Sequence, residues 1–345
     1  MSRLVFCILG AMIGAGFASG QEIMAIFSCY GSLSWWLIGA AGMIMGLLFY
    51  RIMEHGAGPS EGLFPGRQGW VGNGMLLLLL SAAGGGMTAA AGELTALVLP
   101  IQYAQGIGSL ATLLISLLLS RRPIGPLSFL GKLLIPLLMG AFLLCMRLPP
   151  SGIALPEPKP IEGVAAVIRA MGYAGFNALL SAGVLCKAGA ACRKQERCRA
   201  ALWAAGGVMA LLVLGNLAFL PRGTSLEKEA LPMVMLLRQY GLLGYYLSAV
   251  VLLLGIVTTL IAVLQGLQQT LSIRLRHTSC CAFLVCAGMG LLGFEPIVAF
   301  AYPAFGLIGM ILLILPTKGK HFECLNKKIP AADAAGMQMQ NYPRV

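Results

Sequence analysis

The chain has 345 residues, of which 58% are hydrophobic and only 10% charged, with a formal net charge of +12. Soluble domains carry roughly a quarter charged residues, and the mean hydropathy here is +0.86. So few charges cannot cover a water-facing surface of this size, which excludes an ordinary soluble domain and makes lipid the main solvent. The apolar runs are continuous, as in Leu76–Leu80 and Val250–Leu254, whereas barrel strands would alternate. Helices are therefore expected, and at about 20 apolar residues per span the chain has room for about ten.

In chain order the expected spans are Arg3–Cys29, Leu33–Met53, Gly74–Leu99, Ile107–Leu119, Leu127–Met146, Gly163–Cys186, Ala200–Leu220, Leu242–Leu267, Ser279–Leu292 and Ile297–Leu315. Leu148–Pro160 holds five prolines and reads as the boundary between two halves. This divides the chain into a first five-helix repeat (1–147), an external linker (148–161), a second repeat (162–316) and a polar tail (317–345). A different reading of the N-terminus takes Arg3, the apolar run Leu4–Ile13 and Ala15-Gly16 as a signal peptide. Against it, apolar character resumes at Ile23–Phe27.

The basic residues sit mostly in the loops, so the net charge does not point to nucleic acid. With a cytoplasmic N-terminus, 18 of the 24 Lys and Arg fall inside and six (Arg147, Lys159, Arg169, Arg222, Lys228 and Arg238) outside. The positive-inside rule then puts both termini in the cytoplasm of a multi-pass cell-membrane protein. The basic stretch Lys187–Arg199 suits a cytoplasmic loop beside anionic lipid, and Trp35-Trp36 suit an interface anchor. The ten cysteines give neither a disulfide framework nor a metal spacing; Cys192 and Cys198 are too far apart for a usual zinc pair.

The first span carries three glycines and then two strongly polar residues where it should be most apolar: Gly14-Ala15-Gly16-Phe17-Ala18-Ser19-Gly20-Gln21-Glu22. At 1.5 Å per residue, Gly14 lies about 18 Å along the axis from Ser2, near mid-bilayer. A similar run, Gly172-Tyr173-Ala174-Gly175-Phe176-Asn177, interrupts the sixth span. Glycine permits unwound backbone, and hydrocarbon tolerates freed N–H and C=O groups only where they line a cavity or are buried in protein. Paired interruptions at matching positions of two halves point to a transport site. The bland alternative is that these glycines let two helices pack closely.

The run Gly14–Glu22, continuing Ile23-Met24, resembles the opening motif of the YkvI-like bacterial membrane proteins. That family in turn resembles the amino acid–polyamine–organocation superfamily. The resemblance extends to Tyr173–Asn177 and to Tyr302-Pro303 with Phe305-Gly306. It implies an all-α membrane protein of LeuT type, with inverted five-plus-five repeats and broken helices 1 and 6. The two interrupted stretches themselves make Gly16, Phe17, Ala18, Ser19, Gly20, Gln21, Glu22, Tyr173, Phe176 and Asn177 candidate substrate contacts. The bland alternatives are that the aromatics only pack and that the Asn177 amide satisfies unwound backbone.

Among the polar residues, Glu22 is a candidate protonation site or partner of a substrate amine, because a carboxylate in a span is costly and functional by default. Glu93 lies nearer a span end and suits a vestibule. The resemblance gives Thr258 and Thr259 a role in holding sodium beside Gly14, whereas threonine hydroxyls also bond back to their own helix. Lys132 competes with that reading, since in some proton-coupled transporters that the chain resembles a fifth-helix lysine stands in for the sodium. Its bland alternative is snorkelling to the interface.

The leading expectation is therefore a cation-coupled secondary transporter of a small polar solute, an amino acid or amine, driven by Na+ or H+ and needing no other cofactor. The alternative is a membrane receptor that binds a small molecule without transport. His55, His277 and His321 lie near loops, and the only aspartate is Asp333 in the tail, so no catalytic cluster reaches mid-membrane and an enzyme is not expected.

Overall fold

The computed structural model describes residues 2–57, 63–64, 69–99, 101–122, 125–149, 160–226, 229, 231–272, 277–291 and 306–311. The linker 148–161, most of the tenth span, Tyr302, Pro303, Phe305 and the tail fall largely or wholly outside these residues. Helices occupy the described spans: α1 (Ser2–Met12), α2 (Ala15–Ser19), α3 (Gln21–Ile26), α4 (Ser34–Gly56), α5 (Gly69–Val98), α6 (Ala104–Ser120) and α7 (Gly125–Arg147). They continue with α8 (Pro160–Leu180), α9 (Ala182–Ala191), α10 (Lys194–Phe219), the short α11 (Gly223–Leu226) and α12 (Pro232–Leu237), α13 (Gly241–Ser272) and α14 (Thr278–Gly290).

Among the described residues, six segments are long and apolar enough to cross a membrane, and α1, α6, α9 and α14 are shorter apolar helices. This is a multi-pass membrane protein. Its outer surface is apolar as lipid requires, with Leu78, Leu118, Leu202 and Trp203 each more than 60% exposed. Trp36, expected as an interface anchor, is 80% exposed.

Inside, the helices approach closely where side chains are small. A Cβ on Gly10 of α1 would lie 3.2 Å from Cα of Gly131 on α7. Gly183 of α9 faces Gly266 of α13, where an added Cβ would come within 2.5 Å of backbone. α13 runs beside α1, α2, α5, α7 and α9, and α4 beside α8, α9 and α10. The first span thus lies enclosed, with Ile8, Ile13, Phe17 and Ile23 all at most 2% exposed.

The sixth span corrects the sequence reading. The helix runs unbroken through Gly172–Asn177, and the interruption comes later, at Ser181 between α8 and α9. Gly172 and Gly175 are used for packing. A Cβ on Gly175 would overlap the Gly306 carbonyl, and one on Gly306 would overlap that of Gly172. The missing side chains let the helical segment 306–311 approach α8 while the α8 backbone stays satisfied internally. At Ser181 the disturbance is a single residue: its N–H still donates to Asn177 O (3.2 Å), and its hydroxyl donates to Asn177 O (3.0 Å) and Ala178 O (3.1 Å).

Candidate functional site

The first span breaks twice. α1 stops at Met12, and Gly14 is extended at φ −86°, ψ −174°, so the chain leaves and re-enters the helix within two residues. Gly14 N–H donates to Met12 O at 2.9 Å, a tight local turn, and Gly14 O accepts from Ala18 N–H as α2 begins. α2 ends at Gly20 in the left-handed region, φ +83°, a conformation glycine adopts without steric cost. A Cβ at Gly20 would overlap the Phe219 ring of α10. Conformation and packing both demand glycine there.

Glu22 stands in the first turn of α3 and is only 6% exposed. Its side chain folds back over Gly16, where an added Cβ would come within 2.8 Å of Glu22 Cγ and 2.9 Å of its carboxyl carbon. Gly16 thus makes room for a carboxyl group at the break. The Tyr173 phenol of α8 interacts with that carboxyl. Tyr173 also meets Phe27 edge-on, with ring centroids 5.3 Å apart at 88°. Four residues before Tyr173 on the same helix, Arg169 Nη1 donates to Tyr30 OH at 3.1 Å. Phe17, Phe176 and Asn177 are each 2% exposed, so the centre is sealed from solvent in this conformation. Ser19 Oγ donates to Gly16 O (3.0 Å), Gln21 N–H donates to Ser19 Oγ (3.3 Å), and Asn177 Nδ2 donates to Tyr173 O (3.1 Å). These polar groups satisfy the local backbone.

From the other side, α13 closes on the break through Gly255. A Cβ there would lie 3.2 Å from the carbonyls of Ile13 and Gly14 and 3.2 Å from the Ala18 methyl. One turn along, the two threonines part. Thr258 Oγ1 donates to Leu254 O (2.9 Å) and Gly255 O (3.1 Å), satisfying its own helix. Thr259 Oγ1 is buried without a hydrogen-bond partner among the described residues and lies 3.4 Å from where a Cβ on Gly14 would be. A buried hydroxyl left unpaired costs roughly 1–3 kcal/mol, so this oxygen is a ready ligand. α13 thus brings Gly255 against the Ile13 and Gly14 carbonyls and Thr259 Oγ1 against Gly14, and oxygen groups at an unwound helix are the kind of donor a small hard cation takes.

Lys132 does not join this cluster. It is exposed on α7, while its neighbour Gly131 faces Phe6 and Gly10 of α1. The side chain after a helix-contact glycine turns about 100° away from that contact. Glu93 is likewise exposed, on α5. Among the described residues, no three His, Cys, Asp or Glu side chains converge as a metal site.

Sequence reading missed a second buried cluster beside the break. Asn216 of α10 accepts from Ser28 Oγ (2.8 Å) and donates to Ser34 Oγ (2.9 Å), and Ser34 Oγ donates to Gly31 O (2.7 Å). All three side chains are 0% exposed, and they pin the turn between α3 and α4 to α10. An asparagine in an otherwise apolar span is itself a signal, visible as Leu214-Gly215-Asn216-Leu217.

No protein-family model matches the chain, and no curated protein matches it in sequence. Solved structures do. MhsT in complex with L-phenylalanine superposes with a TM-score of 0.68 at 14% identity, covering 90% of this chain and 87% of that one. A mutant of the Eremococcus coleocola manganese transporter gives 0.57 at 15% identity, covering 90% and 76%. The same transporter with an aromatic bis-isothiourea compound gives 0.56 at 14% identity, again covering 90% and 76%. The chain therefore has the LeuT-type fold.

Proposed function

We propose that this protein is a cation-coupled secondary transporter of a small polar solute, working by alternating access around its broken first span. One observation carries the reading: a membrane segment interrupted at Ile13-Gly14 and again at Gly20, with a buried carboxyl folded over Gly16 between the breaks. Backbone polarity so deep in the membrane is tolerated only where it lines a cavity or is buried in protein, and an interrupted span of this kind is where transporters place their sites.

In this reading the solute lies beside Gly16–Glu22, Tyr173 and Phe176, with Glu22 facing an ammonium group. An amino acid or related amine fits that chemistry. Na+ is held by the Ile13 and Gly14 carbonyls and the Thr259 hydroxyl. Two facts favour sodium over a lysine surrogate there: the unpartnered Thr259 hydroxyl and the outward position of Lys132. Glu22 remains the group through which a proton would couple. The fold similarity to a structure holding L-phenylalanine and to a manganese transporter supports transport of small solutes rather than enzymatic chemistry. The five-plus-five halves, cell-membrane location and cytoplasmic termini belong to the same proposal.

The test is uptake into proteoliposomes of a panel of amino acids and amines, under separate Na+ and H+ gradients. Concentrative uptake driven by one gradient is expected. Specific binding without counterflow would replace the transporter by a non-transporting receptor, and neither binding nor flux would overturn both.

A further inference from the structure

Away from the broken span, a groove of about 450 Å³ opens between the end of α6 and the start of α14, within the ~300–1,000 Å³ range of small-molecule sites. Leu114, Leu117 and Phe283 supply apolar lining, while Arg121, His277 and Thr278 supply polar lining. The location is a lipid–water boundary: α6 ends at Ser120, and Arg121 and Arg122 follow, both exposed.

Two features give the groove a matched ligand. First, α6 presents a stripe to lipid at helical spacing: Ile107, Leu110, Leu114 and Leu118, exposed by 54%, 51%, 49% and 61%. The stripe runs up to Arg121 and into the groove. Second, the polar end is cationic and rich in donors. Arg121 is an exposed guanidinium, and His277 gives the first turn of α14 no side-chain cap, at the end of a helix whose first N–H groups have no intrahelical partner. A fixed positive charge at the interface, continuous with a hydrocarbon-facing stripe, matches an amphiphile with a negative head and an apolar tail.

We propose that this groove binds one anionic phospholipid, its phosphate at Arg121 and the first turn of α14 and an acyl chain along Leu117, Leu114 and Leu110. Charge complementarity selects against zwitterionic lipid, and the apolar wall selects against free phosphate. The site is separate from the broken first span and does not depend on the transport reading.

The test is native mass spectrometry of the full-length protein in detergent, titrated with phosphatidylglycerol or phosphatidylcholine. One phosphatidylglycerol is expected to be retained in preference to phosphatidylcholine, and inorganic phosphate is expected not to displace it. Arg121→Ala should weaken retention about tenfold or more, as expected for losing a charge-assisted hydrogen bond. Leu117→Trp, which puts bulk on the acyl-chain path and keeps the charge, should weaken it similarly. Arg193→Ala, in the basic stretch before α10, should leave it unchanged. Equal retention of both lipids, displacement by inorganic phosphate, or unchanged binding in Leu117→Trp would overturn the site. So would equal loss in Arg193→Ala, which would mark a diffuse surface charge instead.

Discussion

Two glycine-rich stretches of this protein look alike in sequence and do opposite work. At Gly14–Gly20 the helix comes apart: Gly14 is extended, Gly20 is left-handed, and Gly16 yields its side-chain space to the Glu22 carboxyl. At Gly172 and Gly175 the helix holds, and the missing side chains let Gly306 approach backbone to backbone. The difference lies in what faces each glycine. A side-chain carboxyl and a threonine hydroxyl face the first stretch, and another helix faces the second. Glycine marks a place where something comes close, and the neighbour decides whether that is a site or a seam.

The largest expected effect is at the first stretch. Glu22→Gln should eliminate gradient-driven uptake while the protein still folds, because the amide keeps the shape and removes the charge. Normal concentrative uptake by that variant would end the role assigned to the carboxyl. Next comes the threonine pair. Thr259→Val should raise the sodium concentration for half-maximal uptake about tenfold or more, equivalent to ~1.4 kcal/mol. Thr258→Val should change it less than about threefold, since its hydroxyl serves its own helix. Equal effects from both would erase the distinction drawn between them.

The glycines themselves give a third contrast, read by thermal stability in detergent. Gly175→Val should destabilise by about 1–3 kcal/mol through overpacking against Gly306. Gly14→Ala should cost less than about 1 kcal/mol, because its extended backbone suits alanine and its Cβ would meet Thr259 Oγ1 only at 3.4 Å. Its effect should appear in cation dependence instead. Reversed stabilities would exchange the roles of site and seam. The smallest effect belongs to Lys132→Ala, which should alter uptake less than about twofold, since a change at an exposed position removes little. A large loss of coupling there would return the lysine to the site.

Much of this was written into the chain order. Scarce charge and long apolar runs require a helical membrane protein, because hydrocarbon demands that each span satisfy its own backbone. The break in the first span was legible too: three glycines, a glutamine and a glutamate at mid-bilayer depth leave little else for that segment to be. The span limits likewise follow from apolar length, and α4, α7 and α13 begin and end within five residues of the positions expected.

What required the tertiary structure was direction and company. Sequence spacing says that Thr258 and Thr259 are adjacent, yet only the approach of α13 to Gly14 separates the hydroxyl bonded to its own helix from the one left open at the break. Lys132 and Gly131 are neighbours in the chain and face opposite surroundings. Composition and periodicity report how much a residue resists lipid or water, which is a property of the residue alone. Whether a glycine opens a helix or joins two of them depends on the atoms across the gap, and those come from distant parts of the chain.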